Sequence, residues 1–316
     1  SLYLWHWPIF VFAEYRYGEL SVLDRVGLIV AAYLLSVLTY WFVEQPARRK
    51  TPFLTRKRIF IAGTAALILA YGLTQLVIGE RGLPQRLGSE VAAFDEAVRK
   101  NRGLTPCPEN EAWIASTSDC EVGAKTVGER SFLVWGDSHA RVMASTVATL
   151  AEENGIKGLV VFRGGCPPFL GRAGSPFDSR GCAKTASLAE TLLQGKGYQN
   201  VVLVARWANY AEGGGYRNGK WFRTGFDQGD AVKNRATFAA SLTATVDSIL
   251  ASGRSVTIVG PVPDLKQNPT ETMIRAMMRG ETAEVRATFT DFASRQASVL
   301  ALFRQLERRP GVRVVY

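Results

Sequence analysis

The stretch FLVWGDSHA, residues 132–140, sets a short apolar run against Gly-Asp-Ser-His and the head of an amphipathic segment. A serine between a buried strand and a helix has two uses. Its hydroxyl can cap the helix, or it can serve as a nucleophile where backbone N–H groups and the positive helix end stabilise an oxyanion. Asp137 and Ser138 are both capping types, and only one is needed for the cap. His139 adjoins Ser138, so its side chain points elsewhere and it makes a poor general base for that serine. A serine at its free pKa needs a separate base.

Two later segments carry related chemistry. FRGGCPPF, residues 162–169, follows an apolar run and offers the Gly164 and Gly165 N–H groups without a crowding side chain. Plain turn chemistry explains the same glycines. ARWANY, residues 205–210, ends another apolar run and places Arg206, Trp207 and Asn209 together. Arg206 and Trp207 suit a saccharide site, through a charged donor and an aromatic face. Burial at the sheet edge accounts for Trp207 equally well, and a cap or loop hydrogen bond accounts for Asn209.

A metal centre is not expected, because His139 is the one histidine after residue 6 and the cysteine spacings are wide. The net charge of +10 gathers largely in one loop, so no nucleic-acid partner is expected.

The elements that must position these residues read clearly. Apolar strands are expected at 131–135, 158–162, 200–205, 255–260 and 312–316, and helices at 140–154, 184–194, 233–251 and 281–308. This alternation predicts a doubly wound parallel sheet, in which ligands bind beyond the C-terminal strand ends. Residues 91–103 suggest a short helix within a linker or extension spanning 80–130. The glycine-rich stretch 211–221 reads as a mobile surface loop or lid.

Residues 1–79 differ in kind. Runs at 25–43 and 59–78 are long and apolar enough to span a hydrocarbon core of about 30 Å, and residues 1–12 read as the last half of a further membrane helix whose start is missing. The membrane helices are placed at about 1–12, 22–43 and 59–78. The loop between the two long runs carries Arg48, Arg49, Lys50, Arg56, Lys57 and Arg58, which holds it in the cytoplasm and sends the residues after Gly79 outward. Cys107, Cys120, Cys166 and Cys182 all fall in that outer part. They permit three pairings, and the sequence-local ones, 107 with 120 and 166 with 182, are expected.

The GDSHA block resembles the first block of the SGNH hydrolase and acetylesterase superfamily. SLYLWHWPI and YWFVEQPARR resemble the end of the acyltransferase-3 membrane domain, and the pairing is more specific than either motif alone. The resemblance implies transmembrane helices (1–79), a linker (80–130) and an SGNH-like, flavodoxin-like three-layer domain (131–316). It implies Ser138 as nucleophile, Gly164 or Gly165 as an oxyanion donor, and Asn209 as the remaining donor. Arg206 stands where that pattern has glycine. The family's base lies in an Asp-x-x-His block, which residues 1–316 lack, so the chain reads as a fragment truncated at both ends and inactive by itself. His6 reads as an interfacial residue beside tryptophans.

By the same resemblance, the full-length protein is a multi-pass bacterial inner-membrane O-acetyltransferase with its C-terminal domain in the periplasm. Its acetyl donor is acetyl-CoA, no cofactor is bound by this part, and its partners are the lipid bilayer and a surface polysaccharide or lipid-linked glycan acceptor such as lipopolysaccharide O-antigen. A glycan O-acetylesterase and a non-catalytic glycan-binding domain are the alternatives.

Overall fold

A computed structural model of the 316-residue chain describes residues 1–18, 20–48, 55–102, 120–124, 131–170, 181–195, 197–217 and 220–316. The chain forms two compact units: Ser1–Ala97 with Thr270–Glu284, and Val98–Pro269 with Val285–Tyr316.

In the first unit, α1 (Leu2–Tyr17) packs on α2 (Val22–Thr39), with Trp5 donating to Thr39 Oγ1 at 2.8 Å and Ser1 to Glu44 Oε2 at 2.8 Å. Ser21 and Asp24 form a reciprocal capping box that starts α2. A π-helical turn (Tyr40–Glu44) leads to α3 (Gln45–Arg48), and α4 (Arg56–Gly79) follows. Val22–Glu44 and Lys57–Gly79 are long and apolar enough to cross a membrane. His6 contacts the Leu2 carbonyl at 3.3 Å and the Tyr3 ring at 5.5 Å between centroids, both in its own helix. Next comes α5 (Ser89–Arg102), matching the expected short helix.

The second unit holds a six-stranded sheet. Its strands are β1 (Glu121–Gly123), β2 (Phe132–Gly136), β3 (Lys157–Phe162), β4 (Asn200–Val204), β7 (Ser255–Val259) and β8 (Val312–Val315), in the order β1-β3-β2-β4-β7-β8. The last five are the strands expected from the apolar runs, and all of their pairings are parallel. β1 was not foreseen; it adds antiparallel to β3 at the edge. All five residues of β2 are buried, as a strand covered on both faces requires.

The helices fall between strands: α6 (Ser138–Glu153), α7 (Cys182–Gln194), α8 (Trp207–Ala211), α9 (Ala231–Ala251), α10 (Pro269–Arg279) and α11 (Phe289–Leu306). The helix expected over 281–308 begins only at Phe289. Gly280, at φ 71°, ends α10, and Thr288 caps α11 by accepting from the Asp291 N–H.

Residues 211–221 also depart from expectation. Most of them lie in a hairpin of β5 (Gly214–Arg217) and β6 (Lys220–Arg223). Its glycines serve close approach: a Cβ on Gly214 would strike the Phe222 carbonyl, and one on Gly215 would strike Asn209 Oδ1. Cys166 and Cys182 are joined as expected, with Cα atoms 5.3 Å apart. Cys120 is disulfide-bonded, and Cys107 lies outside the described residues.

Candidate active site

Among the parallel strands, β2 and β4 flank the place where the winding reverses: the crossover from β2 leads one way to β3, and the next returns past β2 to β4. A crevice at such a switch point opens beyond the C-terminal strand ends. Ser138 and the segment Arg206–Asn209 follow those two ends directly. A Cβ on Gly136 would strike the Val204 carbonyl, so glycine is what lets β2 and β4 approach this closely at their ends.

The capping question is settled by Asp137. It is 1% exposed and occupies the N-cap, accepting from the His139 N–H at 2.8 Å through Oδ1. Its Oδ2 accepts from the Arg206 N–H at 2.9 Å and from the Tyr210 hydroxyl at 2.6 Å. One carboxylate thus caps α6 and anchors the chain leaving β4. Ser138, the first residue of the helix, is exposed, and neither its hydroxyl nor its N–H has a partner among the described residues. His139 is half-buried. Burial pushes its imidazole below the ordinary value of 6.5, and the nearby Arg206 charge adds to this against Asp137 and Asp264.

Gly164 and Gly165 lie in a turn closed by the Cys166 N–H donating to the Arg163 carbonyl at 3.0 Å, with Gly165 at φ 75°. The Arg163 N–H donates to the Gly136 carbonyl at 3.2 Å, which fixes this turn beside the end of β2. Among the described residues neither glycine N–H is consumed. Asn209 is 8% exposed, and its Oδ1 is buried against Gly215 without a hydrogen-bond partner among the described residues.

Arg206 and Trp207 turn inward. Nε and Nη2 of Arg206 both lie 2.7 Å from Asp264 Oδ1, and Nη2 also donates to the Tyr216 carbonyl at 3.3 Å. Asp264, with 5% of its side chain exposed, receives Arg295 on its other oxygen at 3.0 Å. Trp207 is 1% exposed, donates its indole N–H to the Val259 carbonyl at 2.8 Å and packs on Phe238 and Phe303. An indole so enclosed offers no face to a sugar, whereas the Arg206 side chain, a quarter exposed, is oriented by its pair with Asp264.

Sequence reasoning missed Tyr210, Asp264 and Arg295. Tyr210 was visible in ARWANY, but its partner lies 73 positions away. Asp264 and Arg295 join segments that no local pattern connects. Among the described residues no group of His, Cys, Asp and Glu is placed to hold a metal ion.

The arrangement is a serine at a helix start, with the Gly164–Gly165 turn and Asn209 following the neighbouring strands at the same end of the sheet. The family described as SGNH domain (fused to AT3 domains) matches residues 106–316. O-acetyltransferase OatA of Staphylococcus aureus is 37% identical over 75 residues in strain MRSA252 and equally so in strain NCTC 8325 / PS 47. Those matches cover 22% of this chain and 12% of each relative, so the chain spans only a small part of the curated relatives' length. The family match covers most of the chain, and the chain belongs to the family of SGNH domains fused to AT3 domains.

Proposed function

We propose that this chain belongs to an O-acetyltransferase that moves acetyl groups across the bacterial inner membrane to hydroxyls of a surface polysaccharide on the periplasmic side. The observation that carries the reading is the free Ser138 hydroxyl at the switch point, with the cap supplied by Asp137. The matched relatives' printed name, O-acetyltransferase, supports the same class. The two long apolar helices support a membrane-embedded part, which in this reading receives acetyl groups from acetyl-CoA in the cytoplasm.

In the outer domain, Ser138 Oγ attacks the acetyl carbonyl and loses its proton to a general base. The bond to the donor's leaving group breaks, and that group takes up a proton. An acceptor hydroxyl then attacks the acetyl-serine ester and passes its own proton to the base, and Ser138 recovers its hydrogen. The N–H groups of Ser138 and of Gly164 or Gly165, with the Asn209 amide, hold the oxyanion in both steps.

The test is a product assay on the natural full-length protein with a defined surface glycan. Acetylated glycan formed by the wild type and lost in Ser138→Ala supports the reading. Release of acetate without acetylated glycan would move it to the esterase class, and glycan binding with neither product to a binding domain.

A further inference from the structure

With Trp207 buried, an aromatic contact surface for the acceptor has to be sought elsewhere at the same end of the sheet. The β5–β6 hairpin presents one. Trp221 is 48% exposed, whereas Trp135 and Trp207 in the same unit are each 1% exposed. Its indole is also held in place. The Arg295 guanidinium lies 4.9 Å from the ring centroid, Tyr216 meets it edge-on at 5.1 Å as its cross-strand partner, and part of the ring lies over Gly214, where a Cβ would come within 2.9 Å of it. Arg295 is fixed in turn, by Asp264 and by the Gly214 carbonyl.

The hairpin is joined to the candidate active site. Arg206, whose backbone N–H binds Asp137, also donates to the Tyr216 carbonyl, and on the hairpin face opposite Trp221 Gly215 lies directly against Asn209 Oδ1. A rigid, half-exposed indole flanked by a guanidinium is a platform for a flat ring that has an apolar face and a polar rim. A pyranose has that form. Gly214 and the charged Arg295 flank Trp221, so it does not sit in the broad apolar patch that a lipid tail or an amphipathic helix needs.

Resting on the reading of a glycan acceptor, we infer that Trp221, with Tyr216 beside it, is the saccharide-binding platform of this domain. The sugar's C–H face lies on the indole, and its rim hydroxyls meet the polar groups that flank the ring. An aromatic surface already ordered in the free protein costs little conformational entropy on binding.

The experiment is calorimetric titration of the natural full-length protein in lipid nanodiscs with chitopentaose and with cellopentaose, no acetyl donor being present. Binding of at least one saccharide is expected, weakened tenfold or more in Trp221→Ala, less in Trp221→Phe, and unchanged in Val232→Ala, a substitution of an exposed side chain on α9. Saturation transfer from indole protons to the sugar gives a readout that does not depend on any variant folding. Equal affinity in wild type and Trp221→Ala overturns the inference, as does absence of binding by both saccharides at millimolar concentration. Acylation of wild-type Ser138 by an activated acetyl ester is followed in parallel without saccharide. Its absence counts against the acyl-serine reading and leaves the saccharide result to stand by itself.

Discussion

The Tyr210 hydroxyl donates to Asp137 Oδ2 at 2.6 Å, linking the helix after β4 to the cap of the helix after β2. Through this bond and the Arg206 N–H, a single buried carboxylate sets the spacing between Ser138 and Asn209. Removing the donor by Tyr210→Phe should destabilise the domain by about 1.5–3 kcal/mol, the usual range for a hydrogen bond to a charged group. Asp137→Ala should cost more, since the cap is lost and two buried donors are stranded. Chemical denaturation of the two variants and the wild type checks the order; equal stability of all three would contradict it.

Asp264 lies between Arg206 and Arg295, with little of its side chain exposed. Asp264→Asn leaves two guanidinium groups without their counter-charge, and breaking a buried pair in this way costs roughly 3–5 kcal/mol. The hairpin should loosen as well, since both arginines hold its backbone carbonyls. Faster amide exchange over 214–217 and 220–223 in the variant, with the β2–β4 core protected as before, is the expected pattern.

His139 and Glu212 predict a fall in stability toward acid. Burial holds the folded His139 below its ordinary value of 6.5, so the unfolded chain binds the proton first. Stability is therefore complete above about pH 6.5 and declines as the pH drops toward the folded value. Burial pushes the Glu212 carboxyl up, but hydrogen bonds from Arg235 and Ser298 outweigh this and hold it below 4.5. Its contribution is present above that value and is lost below it. Thermal melting from pH 8 to pH 4 should show a decline beginning near neutrality, and His139→Gln should remove the upper part of that decline.

The Cys166–Cys182 bond closes a span of 16 residues and begins directly after the Gly164–Gly165 turn. A loop of that size corresponds to about 3 kcal/mol in the chain-entropy account. Replacing both cysteines by serine should lower stability by that order. It should also slow Ser138 acylation, because the turn that presents the glycine N–H groups loses its anchor. A variant with reduced stability and wild-type acylation would separate the disulfide from the oxyanion turn.

The parallel strands were legible because each is a short apolar run; β2 and β3 are covered on both faces, whereas the edge strand β8 alternates buried and exposed residues. β1 was not, since Val122 is its one apolar core residue and three residues show no period. The hairpin was misread because a glycine run suggests mobility, whereas Gly214 and Gly215 are small to admit Phe222 and Asn209. Ser138, Gly164, Gly165 and Asn209 come together at one end of the sheet because each follows a strand end. A lone tryptophan reads the same whether it faces core or solvent, so Trp207, which opens α8, and Trp221, within β6, could be told apart only by their surroundings.

The most direct test of the central claim is the intact mass of the natural full-length protein after brief exposure to an activated acetyl ester, wild type beside Ser138→Ala. The account predicts a transient adduct of one acetyl group in the wild type, mapped to Ser138 and absent from the variant. An adduct of equal size in Ser138→Ala, or none in a folded wild type with its disulfides formed, would contradict Ser138 as the nucleophile.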